Sequence, residues 1–363
     1  MLSYLIWNAS PEIFTLPIPF IDKVLTLRWY GLLFALGFLI SQQILYYIFK
    51  KEGKPEKDVD TLTIYMVVAT VIGARLGHVL FYEPERYLSN PIDIIKIWEG
   101  GLASHGAAAG ILFALWLYAR KKKPGQNYLQ TLDRIVILVA LTGALIRFGN
   151  FMNSEIIGKP TQSDYGVVFA RNVTEILKSD ESIKNVSYAQ VDSASNELGY
   201  RPVKILLEFA DNQNTYDEYV QYAEGRVNSY LAYNPYVKEH IYQPGNMKYS
   251  ISQDESKQYF AIVDTHAIPR HPAQLYESIS CFLLFGFLLW LWWKHKEKLA
   301  EGRIFGTFLI VCFGLRIAYE FLKENQVDFE NSLPLNMGQF LSIPLVLAGI
   351  FILWRSFDKT VKA

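Results

Sequence analysis

The chain has 363 residues, 51% apolar and 15% aromatic, with only 19% charged residues and a formal net charge of zero. Charge this sparse lies below the soluble-domain norm, and its balance offers no basic face for nucleic acid. Cys281 and Cys312 both lie inside apolar runs, which excludes a disulfide framework or a cysteine-type zinc site and leaves them as packing residues.

In chain order, residues 1–28 contain Pro11, Pro17 and Pro19 and read as an interfacial arm. They lack a basic n-region before the first apolar stretch and a small-residue cleavage site, so no removable signal peptide is expected. A membrane helix needs about 20 mostly apolar residues. Seven runs qualify: 29–49, 61–82, 102–119, 130–150, 273–293, 303–322 and 335–354.

Basic residues set the orientation. Lys50, Lys51, Lys54 and Lys57 follow the first run, Arg120 to Lys123 the third, Lys294, Lys296 and Lys298 the fifth, and Arg355, Lys359 and Lys362 the seventh. The alternate loops are poorer: 83–100 holds Arg86 and Lys96, and 323–334 holds Lys323. Every second loop is therefore cytoplasmic, with the N-terminus outside and the C-terminus inside.

The fold class expected is an all-α polytopic membrane protein of about seven helices, with a mixed α/β extracytoplasmic insert between helices four and five. Its parts are an arm at 1–28, helices one to four at 29–158, the insert at 159–269, and helices five to seven with a cytoplasmic tail at 270–363. Within the polar, tyrosine-rich insert, 203–209 reads as a strand, 216–230 as an amphipathic helix and 178–198 as loop. Long-period repeats, the mark of inverted-repeat transporters, are not found. The spacings Gly73/Gly77, Gly106/Gly110 and Gly302/Gly306 predict close helix–helix contacts.

Polar groups then appear where bilayer physics resists them. A charge at mid-membrane costs at least roughly 2.5–3.5 kcal/mol on the insertion scale, so it persists near a helix end only with a partner, water or a task. The densest group is 146–158, where Arg147, Asn150, Asn153, Glu155, Gly149 and Gly158 close the fourth run. Taken alone, Arg147 would snorkel to a headgroup and the asparagines would cap the helix. Matching groups elsewhere reverse that reading: Tyr30 in Arg28–Gly31, Arg75 one turn from His78, His105 after Gly100 and Gly101, and Gln274 with Glu277 nearly on one face. Arg316 and Glu320 share a helix face, either as a structural ion pair or as an anion site whose arginine the glutamate orients.

By the topology above, these groups share the outer leaflet. Several arginines, one histidine and several amides at one depth suit an anionic lipid headgroup, because arginine forks onto phosphate oxygens. Histidine suits proton transfer near neutral pH. Residue spacing reveals no metal site.

The segment Arg147–Gly158 closely resembles the signature of the prolipoprotein diacylglyceryl transferase family, Gly-Arg-x-Gly-Asn-Phe-x-Asn-x-Glu-x-x-Gly. The Arg28–Gly31 start, the Gly100–Gly106 turn, His271–Glu277 and Gly314–Phe321 also resemble family motifs, in the family's order and across nearly the whole membrane portion. The resemblance implies transfer of the diacylglyceryl group of phosphatidylglycerol to the lipobox cysteine of a preprolipoprotein signal peptide. A thioether forms and glycerol 1-phosphate leaves, in a bacterial cytoplasmic (inner) membrane and with no cofactor. It also implies that His105, Arg147 and Arg316 are catalytic, and that Tyr30, Asn150, Glu155, Gly158 and Glu320 are functional. Asn153, Gln274 and Arg75 join them as expected substrate contacts. Two departures stand out: Ile146 replaces the usual glycine before Arg147, and Ala107 stands where a second glycine is common. The insert is larger than the family pattern. A transporter or channel with a polar outer-leaflet cavity is the rival reading, but it predicts polar residues through the full membrane depth, whereas the inner halves of the runs are largely apolar.

Overall fold

The computed structural model of the chain describes residues 4–17, 24–96, 101, 103–210, 215–255, 257–324 and 334–361. Pro19, Gly100 and Lys362, named above, lie outside the described residues, as do the first residue of the 102–119 run and the side chain of Lys359.

A helix forms at each of the seven apolar runs: α1 (Trp29–Lys51), α2 (Lys57–Phe81), α4 (Ser104–Ala119), α5 (Tyr128–Met152), α10 (Ala273–His295), α11 (Arg303–Glu320) and α12 (Met337–Val361). A short α3 (Pro84–Ser89) and a 3-10 turn at Pro91–Ile95 lie between α2 and α4. Among the described residues, five helices are long and apolar enough to cross a membrane. Of the other two, α4 has 16 residues, and α11 carries Arg303, Arg316 and Glu320 in its 18. The chain is a multi-pass membrane protein. Local chemistry sets helix ends: Lys50 and Lys51 oppose the C-terminal dipole of α1. Gly53 then adopts φ +65° while the Lys54 N–H reaches the Phe49 carbonyl (2.9 Å), which stops the helix.

Contacts divide the chain into two compact units, with boundaries inside α1, α5, α10 and α11. The second unit comprises Phe34–Leu145, Ser278–Ile317 and Met337–Ala363. Leu45, Ile48, Leu62, Leu115, Ile137, Trp292 and Ile304 are buried in its core. Lipid is as apolar as leucine, so helices in a bilayer associate through close packing rather than through expulsion from water. The glycines supply that packing: an added Cβ on Gly106 would lie 2.3 Å from the Gly73 carbonyl oxygen, and one on Gly77 2.7 Å from Gly106 Cα. The predicted α2 and α4 glycine pairs thus meet each other backbone to backbone. Gly306 plays the same part against α12, where an added Cβ would lie 2.9 Å from the Gly349 carbonyl oxygen, whereas Gly302 instead makes a turn at φ +83°.

The first unit comprises Met1–Leu33, Ile146–Glu277 and Ala318–Asn336. Its five-stranded sheet runs β5 (Ile183–Gln190), β6 (Arg201–Phe209), β9 (Tyr259–Ala267), with β7 (Ile241–Tyr242) and β8 (Lys248–Gln253) sharing the far side of β9. All its pairings are antiparallel. Val203, Ile205, Leu207 and Phe209 alternate into the core and are fully buried. Four helices accompany the sheet: α6 (Arg171–Lys178), α7 (Tyr216–Tyr222), α8 (Asn228–Tyr233) and α9 (Pro235–Lys238). A π-turn joins α7 to α8, and Thr215 with Glu218 forms a capping box at the start of α7.

Two sequence expectations change here. The span 178–198 is not all loop, since β5 pairs with β6 along most of its length. Only Ile183 and Val186 of β5 are buried, so its polar Lys184, Asn185 and Ser187 hide the strand from a hydrophobicity reading. The N-terminal stretch holds strands as well. β1 (Leu5–Trp7) pairs in parallel with β4 (Val167–Phe169), and β2 (Glu12–Pro17) forms a hairpin with β3 (Val24–Arg28).

The insert also contains a pH-sensitive residue. His240 is 1% exposed, and burial first, then the nearby Arg270 charge, lowers its pKa to about 4. Asn172 Nδ2 lies 3.2 Å from its Nε2. Unfolding returns the ring to an ordinary value of 6.5. Between pH 6.5 and 4 the unfolded chain therefore binds a proton that the folded one refuses, so this contribution is intact above pH 6.5 and is lost as pH falls. The expected loss is on the order of 3 kcal/mol by pH 4. Denaturation midpoints of wild type and His240→Gln, followed from pH 7 to 4, check it: the acid slope flattens in the variant.

Candidate active site

The C-terminal end of α5 sets the site's geometry. Gly149 lets Tyr30 of α1 pack against the helix backbone, its Cβ position lying 3.0 Å from Tyr30 Cα. Trp7 of β1 lies over Phe151 (centroids 4.3 Å) and donates its indole N–H to the Phe151 carbonyl at 3.1 Å, a partner for one of the last carbonyls of the helix.

After Met152 the backbone turns sharply. Ser154 (φ +54°) and Ile156 (φ +58°) both adopt left-handed conformations, rare for any residue but glycine and a real outlier for a β-branched one. Each costs roughly 1–2 kcal/mol, and strain of this kind gathers at functional sites. Here it presents Glu155, flanked by the two strained residues, to Asn150 and Asn153, whose amides donate to Glu155 Oε1 at 2.7 and 3.3 Å. Gln274 Nε2 holds the Glu155 carbonyl at 2.5 Å. Gly158 closes the turn between other backbones: its N–H donates to His271 O (2.9 Å), and an added Cβ would lie 2.6 Å from that oxygen and 2.8 Å from Leu322 O.

A line of charges runs beside this turn. Arg147 Nε binds Glu277 Oε2 at 2.6 Å. Glu277 also pairs with Lys323, whose ammonium meets Glu320 at 3.3 Å, and Glu320 in turn accepts from Asn336 Nδ2 at 3.0 Å. The Glu277, Lys323 and Glu320 side chains are each less than a tenth exposed, whereas Arg147 is 22% exposed. Desolvated charges persist only when paired in this way. Beside them are buried side-chain atoms that have no partner among the described residues: Asn150 Oδ1, Asn153 Oδ1, Ser154 Oγ and Gln274 Oε1. Unsatisfied buried acceptors are rare in native proteins, and four at one turn make room for a ligand that donates hydrogen bonds.

Of the expected site residues, the first unit therefore brings together Tyr30, Arg147, Asn150, Asn153, Glu155, Gly158, Gln274 and Glu320. Arg75, His105 and Arg316 belong to the second unit. There the His105 ring, in the first turn of α4, meets Phe81 edge-on (5.2 Å) and Tyr82 at a tilt (5.8 Å). Arg75 is 3% exposed and gives each of its three nitrogens to a backbone carbonyl, those of Asp93, Ile94 and Gly101. Arg316 stands one turn before Glu320 on α11 and is partly exposed.

Sequence reading named Glu277 beside Gln274 without giving it a role in the site, and it missed Lys323 as a member of the cluster. Glu277 did carry a signal, being an acid in the second turn of an apolar helix. Lys323 carried one too, three residues after a membrane-end glutamate.

A multi-pass helical protein with an arginine–carboxylate cluster and unsatisfied amides where a membrane helix ends is the class that fold and site define. The sequence profile of the family described as prolipoprotein diacylglyceryl transferase matches residues 18–355. Similar proteins named phosphatidylglycerol–prolipoprotein diacylglyceryl transferase occur in Chloroherpeton thalassium and Tolumonas auensis. The first is 36% identical over 98% of this chain and 96% of its own, the second 36% identical over 99% and 100%. That of Bacteroides fragilis is 33% identical over 98% and 97%. The chain belongs to the prolipoprotein diacylglyceryl transferase family. Membership turns against the transporter alternative.

Proposed function

We propose that the protein transfers the diacylglyceryl group of phosphatidylglycerol to the lipobox cysteine thiol of preprolipoproteins in the bacterial cytoplasmic membrane. All seven helices cross it, N-terminus outside and C-terminus inside, and the 159–269 insert forms an extracytoplasmic head. The observation that carries this reading is the Arg147–Glu277–Lys323–Glu320 line beside the unpartnered oxygens of Asn150, Asn153 and Gln274. A phosphate needs the fork, and a glycerol headgroup brings the hydroxyl donors that those oxygens lack.

The thiol sulfur attacks the carbon of the diacylglyceryl moiety that bears the phosphate oxygen. The S–C bond forms, the C–O bond breaks with its electron pair leaving on oxygen, and glycerol 1-phosphate departs. A free thiol has a pKa of about 8.5, so His105 takes its proton. Arg147 and Arg316 stabilise the charge that builds on the leaving phosphate. Asn150 and Tyr30 hold the headgroup, Glu155 orients the two asparagines, and Gly158 keeps the turn closed.

The test is glycerol phosphate release by purified protein from phosphatidylglycerol. Release is expected with a lipobox cysteine peptide and absent with its cysteine-to-serine counterpart. Equal release with both peptides, or without any, would overturn the thiol acceptor.

A further inference from the structure

Arg75 occupies the place in α2 where a phosphate ligand is expected, yet its guanidinium is occupied otherwise. Nε donates to Ile94 O at 2.8 Å, Nη2 to Asp93 O at 2.5 Å and Nη1 to Gly101 O at 3.3 Å. One face lies 4.8 Å from the ring centroid of Tyr87, itself 3% exposed. A planar fork that spans two stretches of backbone and stacks on a ring is a task that lysine cannot copy.

Those stretches are the 3-10 turn at Pro91–Ile95 and the approach to α4, where His105 occupies the first helical turn. Gly101 takes φ +71° directly over the neighbouring side chains: an added Cβ would lie 2.6 Å from His78 Cδ2 and 2.8 Å from Arg75 Nη1. Two residues on, the Ala103 N–H donates to Ala74 O at 2.9 Å. Consecutive residues of α2 thus grip the chain at 101 and 103, just before the helix that carries His105. Glycine contacts fix how near α4 packs to α2; the Arg75 and Ala74 bonds fix where its first turn begins.

We propose that Arg75 is a positioning residue for His105, not a phosphate ligand. It pins the turn entering α4, so that the imidazole presents itself to the acceptor thiol. This rests on the reading of His105 as the thiol's base. The two roles predict opposite kinetics: a lost phosphate contact raises KM for the lipid, whereas a misplaced base lowers kcat. Displacing a catalytic group by about 1 Å costs about 10²-fold.

Purified Arg75→Gln, Arg75→Lys and Gly101→Ala are compared with wild type for kcat, for KM toward phosphatidylglycerol, and for KM toward the cysteine peptide. Arg75→Gln is expected to lose about 10²-fold in kcat with lipid KM within about twofold. Arg75→Lys should lie between it and wild type. Gly101→Ala keeps the arginine but disturbs the turn it grips, since the added Cβ would press on Arg75 Nη1 and on the His78 ring, so it gives the same signature and decides the matter if Arg75→Gln yields no folded protein. A raised lipid KM with kcat retained overturns the proposal, as does Gly101→Ala with both constants unchanged. A wild-type protein without transfer activity would instead overturn the functional reading.

Discussion

Arg147→Gln is expected to lower diacylglyceryl transfer by about 10²–10³-fold, the loss typical of removing one donor from a transition-state anion site. Protein yield and unfolding midpoint should fall far less than activity, since the side chain is partly exposed and the buried Glu277 keeps Lys323 as a partner. Glu277 takes Nε, while two phosphate oxygens need the Nη1 and Nη2 edge of the same fork. Lysine supplies a point charge and cannot serve both partners, so Arg147→Lys should fail almost as badly. Glu277→Gln keeps the Arg147 charge but loses its anchor, and with it half of the support for the buried Lys323. It is expected to fall between wild type and Arg147→Gln in kcat/KM. Steady-state kinetics on detergent-purified variants, each checked for its unfolding midpoint, provide the measurement. Near-normal turnover by Arg147→Lys would mean that charge alone suffices, and the fork reading would fall.

The membrane half was legible because composition dictates it. Long apolar runs have few options other than helices, and the glycine spacings placed the α2–α4 contact correctly because a backbone-to-backbone approach in lipid demands small residues. The signature turn was legible as chemistry but not as geometry. Nothing local announces that Ser154 and Ile156 turn left-handed, since both are ordinary helix or strand residues, held there by Gln274 and His271 from a distant segment.

Long-range pairing hid the rest. β1 exists because Leu5, Ile6 and Trp7 find Val167, Val168 and Phe169, and no periodicity in the first dozen residues could disclose that partner. Edge strand β5 buries two side chains and exposes polar ones, so hydrophobicity read it as loop. Arg75 illustrates a different limit. Arginine inside an apolar helix announced a polar environment, but its spacing could not name the three backbone carbonyls that its guanidinium meets.

The largest stability effect is expected far from the chemistry, at Glu52. Its side chain, just past the end of α1, is fully buried and accepts from four groups. These are Arg134 Nε (3.1 Å), Arg134 Nη2 (2.8 Å), Lys54 Nζ (2.6 Å) and Trp292 Nε1 (2.7 Å). One carboxylate therefore ties the end of α1 to α5 and α10. Next to Arg134, Asp133 accepts from the Gly302 and Phe305 backbones at 2.8 Å each, which brings the start of α11 into the same region. Glu52→Gln keeps the shape and removes the charge, leaving Arg134, only 4% exposed, with the more distant Asp133 carboxylate at 4.0 Å in place of its close partner. Breaking a buried pair in this way costs about 3–5 kcal/mol, whereas exchanging both members for apolar residues of similar volume is often neutral. Glu52→Gln should thus lower the thermal midpoint in detergent markedly with little change in kcat per folded molecule. The double variant Glu52→Leu, Arg134→Met should recover much of the loss, because the penalty belongs to the orphaned charge and not to the absent bond. If the single variant melts like wild type, the pair contributes nothing that water does not replace. If the double variant is worse than the single, the Trp292 and Lys54 bonds, and not the ion pair, hold these helix ends together.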